Sequence, residues 1–316
     1  MRSDAAGGGS SPKNNLAADT AAGIAVATVS VPIVLAYAQL TGLPAEAGLY
    51  AAILAAVAYA IFGPSRIIVG PDTATCVLIG ATLTQLGAQG TGDRRLDAAI
   101  LALLVGIFLF AGSLLRLGSI ANFLSKPILH GYLLGIAASL FVSQYDSLTG
   151  VKIISNGVIQ PTVELLSKLG QIHLPTLIVG LFLFVGGRLL KHAAPAFPAT
   201  IAILFAGIIL SWLLHLQAAG LTVVGNVRLG LPSLPKAVSM PDLTSMITDA
   251  LGIALVCFSS GIVTVRSFAT QLGEEVDPNR ELRGFGFANI ASALGMGYPV
   301  SGADSRTAVS VSAGGR

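Results

Sequence analysis

Apolar residues in this chain come in long unbroken blocks, with charge confined to the joints between them. Blocks at 21–40, 45–62, 96–115, 127–143, 174–190, 198–214, 247–265 and 282–296 each read as one membrane-crossing helix, since the hydrocarbon core takes about 20 residues and tilt or neighbours accommodate somewhat fewer. A shorter block at 73–86 is a third span of unusual build, and 301–316 reads as the opening of a tenth, about four turns long. An amphipathic piece at 161–169 lies in the looser stretch between the fifth and sixth spans, and a second long loop precedes the eighth. The polar, Gly/Ser-rich start (MRSDAAGGGSSPKNN) predicts a disordered tail, taken here to residue 18. Its weak basic region and the long apolar run through Pro32 argue for a first span rather than a cleaved leader.

Composition narrows the class. Of 316 residues, 53% are apolar and 10% charged, with mean hydropathy +0.80, against about 25% charged in a soluble domain. This is the arithmetic of a polytopic, all-α membrane protein whose solvent is the lipid bilayer. The net charge of +3 comes without basic runs or basic–aromatic alternation, so nucleic acid is not a partner. Cys76 and Cys257 sit in apolar runs and read as small core residues. His173, His192 and His215 lack metal-ligand spacing, and His130, heading the fifth span, reads as an interfacial side chain. No metal, cofactor or catalytic residue is expected: there is no H-E-x-x-H, no G-x-S-x-G and no pair of carboxylates on one span. Placing the N-terminus in the cytoplasm puts ten Lys/Arg on that side, Arg66, Arg116, Lys126, Arg188 and Lys191 among them, against six outside, which sets the expected orientation.

The third span carries the chemistry. Ile67-Ile68-Val69 is a strand-like run, Gly70-Pro71-Asp72 breaks it, and Thr73-Ala74-Thr75 opens a helix. The last block repeats this plan: Tyr298-Pro299-Val300, then Gly302-Ala303-Asp304, then Ser305-Arg306-Thr307, so that G-x-D-T-A-T answers G-x-D-S-R-T. Paired half-helices interrupted by Gly or Pro point to a transporter's substrate site. Each half-helix start brings unpaired N–H groups and about half a positive charge, and two such ends meeting at mid-membrane would hold an anion. Arg306 adds a full charge.

Beyond these motifs the chain resembles the SulP (sulfate permease, solute-carrier 26-like) anion transporters over essentially its whole length. The matching stretches are VPIVLAYAQLTGLPAEAGLYAAI at 31–53, FGPSRIIVGPDTAT at 62–75, SKPILHGYLLGI at 125–136, GLPSLP at 230–235, VRSFATQLGEEVDPNRE at 265–281 and GFANIASALGMGYPVSGADSRTAVSVSAG at 286–314. The resemblance implies a seven-plus-seven inverted-repeat fold with a core domain moving against a gate domain. The chain would then divide into a cytoplasmic tail (1–18), core spans one to four (19–118), gate spans five to seven (119–245), and core spans eight, nine and the start of ten (246–316). The remainder of the second repeat and the family's cytoplasmic STAS domain would be absent, and the full-length form would be a homodimer. The anion would lie between the N-termini of spans three and ten, against Thr73, Ala74, Thr75, Ala303, Ser305 and Arg306, with Ser259 and Ser260 of span eight nearby. The family's span-one glutamine falls at Ile33, so that contact is expected to be missing. Many members carry a carboxylate in line with Ser260, and many animal relatives have Phe at Asp72.

For Asp72 and Asp304 two readings stand open. Both are suitable helix N-caps, worth about 1 kcal/mol each. Alternatively, a carboxylate beside an anion must be protonated or paired with a cation first, which would make either one a coupling residue for H⁺ or Na⁺. Arg306 is an anion-attracting charge or an ion-pair partner of Asp304. Ser259 and Ser260 are hydrogen-bond donors or small packing residues. The expected function is secondary active transport of a small anion, sulfate or bicarbonate, by symport or exchange with alternating access. The alternatives are a passive channel, an uncoupled exchanger or a dicarboxylate carrier.

Overall fold

The computed structural model describes residues 12–315 apart from 88–89, 120–133, 135–137, 139–140, 143, 154, 156–158, 195–198, 222–229, 231–242 and 273–274. The expected fifth span, 127–143, and its His130 fall largely outside the described residues, as do the loop at 231–242 and the polar tail before Pro12.

The elements are α1 (Pro12–Leu40), α2 (Ala45–Phe62), β1 (Val69–Gly70), α3 (Thr73–Leu86), α4 (Arg94–Leu114), α5 (Tyr145–Thr149), α6 (Ile159–Ser167), α7 (Leu174–Ala193), α8 (Ala199–Leu213), α9 (Leu243–Leu272), α10 (Pro278–Leu294), β2 (Ser301–Gly302) and α11 (Asp304–Ser312). Among the described residues, five helices are long and apolar enough to cross a membrane: α1 over Asp19–Leu40, α2, α4, α7, and α9 over Thr244–Ala269. These helices, with the apolar composition, make the protein an all-α, multi-pass membrane protein.

Several boundaries correct the reading of the sequence. Helix α1 starts at Pro12, so the expected disordered tail is helical from there; proline has no N–H to lose at a first helical position and its φ is already suited to the turn. The helix also runs on through Pro32. Helix α9 overruns both ends of the expected 247–265 because no Gly-Pro or capping break lies within 243–272. Helix α10 starts at Pro278 because Asp277 caps it, its Oδ1 accepting from the N–H of Asn279 (2.9 Å) and of Arg280 (3.3 Å). The last block opens with a strand, and its helix begins only at Asp304 and lasts nine residues. At the other breaks composition decides: α2 ends at Phe62 because Gly63 precedes Pro64 and takes extended φ/ψ (−76°, 141°).

The chain forms two compact units, Met1–Ala121 with Leu229–Arg316, and Asn122–Arg228. In the first, α10 packs on α4 and α2, α9 packs on α4 and α3, and α1 lies against α2 and α11. Small residues let α4 and α10 approach closely: a Cβ on Gly106 would stand 2.9 Å from the Gly286 carbonyl oxygen. Tyr59 stacks on Phe285 at a centroid distance of 5.4 Å, joining α2 to α10. In the second unit α7 packs on α8 and α5. Lys191 and His192 occupy the last turn of α7, where the helix dipole favours cations.

Candidate functional site

The site lies wholly in the first unit. Strands β1 and β2 pair antiparallel, Val69 opposite Gly302 and Gly70 opposite Ser301. Ala303 extends the ladder by donating its N–H to the Ile68 carbonyl (2.9 Å). The Ile68 N–H donates to Thr307 Oγ1 (3.0 Å), and that hydroxyl donates in turn to the Ala303 carbonyl (2.8 Å). Both strands are buried, so a two-stranded ladder is how the irregular segments at the two breaks satisfy each other's backbone polar groups. The ladder brings together two stretches more than two hundred residues apart and leaves α3 and α11 starting just beyond it, on its two strands. Gly302 permits this closeness, since a Cβ there would lie 3.0 Å from both Gly261 Cα and Thr264 Oγ1 of α9.

Neither aspartate caps its helix. Asp72 occupies the N-cap position of α3 with extended φ/ψ but makes no side-chain cap bond; Ala303, not Asp304, is the N-cap residue of α11. Both carboxylates turn to α9. Ser260 Oγ donates to Asp72 Oδ2 (3.4 Å) and Thr264 Oγ1 donates to Asp304 Oδ1. Ser260 and Thr264 are one helical turn apart, so the two acids lie along one face of α9. Ser259 is half-buried and, among the described residues, makes no hydrogen bond to either acid.

Arg306 is 2% exposed, and its Nη2 donates to the Pro71 carbonyl. Among the described residues it forms no ion pair with Asp304 or Asp72, because its guanidinium is turned to the β1 end, where Gly70 leaves room: a Cβ there would lie 2.8 Å from Nη1. Thr73 and Thr75 are buried, Thr75 Oγ1 donating to the Asp72 carbonyl (2.9 Å). Ala74 is half-buried, Ala303 is buried, and Ser305 is exposed.

The sequence reading missed four polar residues here. Thr73 Oγ1 donates to the Tyr37 hydroxyl (2.6 Å), so α1 brings a polar group to the site one turn beyond Ile33. Thr264 could have been found as the hydroxyl four residues after Ser260. Tyr298 is fully buried beside Cys76. Asn289, also fully buried, holds Val300, which leads into β2. An asparagine and a tyrosine inside apolar runs are signals only once their partners are known.

Residues 16–316 match the sulfate permease family. A probable sulfate transporter of Mycobacterium tuberculosis is 37% identical over 304 residues, covering 95% of this chain and 54% of that protein. Human solute carrier family 26 member 6 is 30% identical over 325 residues, covering 95% of this chain and 43% of that protein. The chain thus spans about half the length of the curated relatives it matches. Among solved structures, the transmembrane domain of the cyanobacterial bicarbonate transporter BicA superposes with a TM-score of 0.78 at 25% identity, over 96% of this chain and 78% of that one. The murine solute carrier 26 family member A9 anion transporter, in its inward-facing state, gives 0.83 at 21% identity over 97% and 55%. Its fold is theirs, and the chain belongs to the sulfate permease family, a family of transporters.

Proposed function

We propose that this chain forms the anion-holding part of a secondary active transporter for a small inorganic anion, sulfate or bicarbonate, in the cell membrane with its N-terminus in the cytoplasm. The observation that carries the reading is the β1–β2 ladder, which sets the starts of α3 and α11 side by side with Arg306 bonded across to Pro71. Thr73, Ala74 and Thr75 on one side and Ala303, Ser305 and Arg306 on the other would line the anion. Donors at two helix starts suit a multi-oxygen anion. The names of the relatives, sulfate and bicarbonate transporters, agree with that class.

Charge balance supports coupling. The carboxylates of Asp72 and Asp304, the Arg306 guanidinium and about half a charge from each helix end roughly cancel. An anion entering this balance leaves net negative charge in low dielectric unless a proton or Na⁺ enters with it. Asp72 and Asp304, held by hydroxyls on one face of α9, are the groups to receive it. The matching strand–break–helix plans and the antiparallel pairing support an inverted repeat, with the first unit as core and the second as part of the gate.

The test is sulfate and bicarbonate binding to, and flux into proteoliposomes carrying, the full-length form of the protein, with pH and Na⁺ gradients varied. Saturable uptake driven by one of those gradients is expected. Absence of binding or uptake of any small anion overturns the reading, and flux that neither saturates nor follows a gradient replaces it with a passive channel.

A further inference from the structure

Helix α10 grips the backbone that leads into both half-helices. Its inner face carries Glu281, Phe285, Asn289 and Ser292, all 0% exposed and repeating at helical spacing. Asn289 uses its whole amide on main chain. Its Oδ1 accepts from the Val300 N–H (2.9 Å), while its Nδ2 donates to the Val300 carbonyl (3.0 Å) and to the Phe285 carbonyl one turn back (2.9 Å). Both polar groups of Val300 are thereby paired as a neighbouring strand would pair them. One turn on, Ser292 Oγ donates to the Tyr298 carbonyl (2.7 Å), and the Gly297 N–H donates to the Ser292 carbonyl (2.9 Å). Pro299, between these anchors, has no N–H to offer. At the other end of α10, Glu281 accepts from Ser65 Oγ and from the Tyr59 hydroxyl (2.5 Å), holding the segment that leads into β1.

We propose that Asn289 is the positioning residue of the α11 half of the anion site, fixing Val300 and through it Ala303 and Arg306. Extended backbone against the buried face of a helix has no water to fall back on, so its place is set by whichever side chain completes its hydrogen bonds. Val300 directly precedes β2, and only Ala303 separates β2 from α11. A shift at Val300 is therefore passed along a few residues of stiff backbone to the donors of the site. The inference rests on the anion reading above.

The test is equilibrium binding of radiolabelled sulfate to the purified protein, reporting both dissociation constant and number of sites, for wild type, Asn289→Ala and the milder Ser292→Ala. Leaving buried main-chain groups unpaired at Val300 should weaken sulfate binding by about tenfold in Asn289→Ala, with less in Ser292→Ala and the number of sites unchanged in both. A role confined to holding the fold would lower the number of competent sites and leave the dissociation constant of the remainder untouched; that result overturns the proposal, as does wild-type affinity in both variants. If Asn289→Ala does not fold, Ser292→Ala decides by the same two readouts. Wild type that binds no anion at all would instead sink the anion reading, so the two failures are told apart.

Discussion

Arg306 Nη2 donates to the main-chain carbonyl of Pro71, 235 residues earlier, so one side chain both joins the two broken segments and sets a positive charge between the helix starts. Replacing Arg306 by Lys keeps the charge but not the planar fork of donors, and by Met removes both. Sulfate affinity should fall by about tenfold in Arg306→Lys and by about thirtyfold or more in Arg306→Met, measured by equilibrium binding. Wild-type affinity in Arg306→Met would reduce the residue to a structural strap.

Asp72→Asn and Asp304→Asn mimic the protonated acids. If a proton must arrive with the anion, wild-type uptake rises as pH falls, because more of the protein then carries the neutral carboxyl that anion binding requires. The asparagine at the coupling position abolishes that slope. If Na⁺ is the companion, the same substitution abolishes sodium dependence instead. Uptake into proteoliposomes across a pH and Na⁺ series reads both, and unchanged profiles in both variants remove coupling from these residues.

Glu281 is buried with Tyr59 and Ser65 as its donors. Tyr59→Phe loses one hydrogen bond to the carboxylate and should cost about 1.5–3 kcal/mol. Glu281→Ala strands both hydroxyls and empties the site, costing about 2–4 kcal/mol. Denaturant unfolding in detergent gives the ordering, which fails if Tyr59→Phe proves the more damaging.

Gly106→Ala should destabilise the protein by about 1–3 kcal/mol, because its Cβ meets Gly286 O and Ile290 N at 2.9 Å, backbone that cannot turn away. Gly112→Ala, in the last turn of the same helix, is the control: its nearest neighbour is 3.8 Å away, and replacing a helical glycine there should be neutral or stabilising by up to about 0.5–1 kcal/mol. Unfolding of the pair under identical conditions tests the contrast.

Both breaks could be read directly from residues, because Gly70-Pro71 and Pro299 with Gly302 exclude continuous helix by local sterics alone. The apolar blocks of α2, α4 and α7 were equally plain, since length and lack of charge define a span without knowledge of its neighbours. What each polar side chain does was not legible. Asp72 and Asp304 have the composition of N-caps, but the hydroxyls of Ser260 and Thr264 on a distant helix compete for them. Asn289 carries no signal in the sequence because its partner, Val300, becomes its neighbour only after the chain reverses between α10 and β2. The start of α1 was misjudged because glycine and serine before Pro12 dominate the local composition, while the helix-forming residues that follow decide the boundary.

The short antiparallel pairing of Val69-Gly70 with Ser301-Gly302 has a mechanical corollary. Prying the two strands apart would expose amides and carbonyls to hydrocarbon, at several kcal/mol for each unmet group, far beyond what a small bound ion could repay. In the transport cycle proposed above, the stapled pair would therefore move as a single rigid jaw. Switching sides of the bilayer would then fall to whatever slides past that jaw.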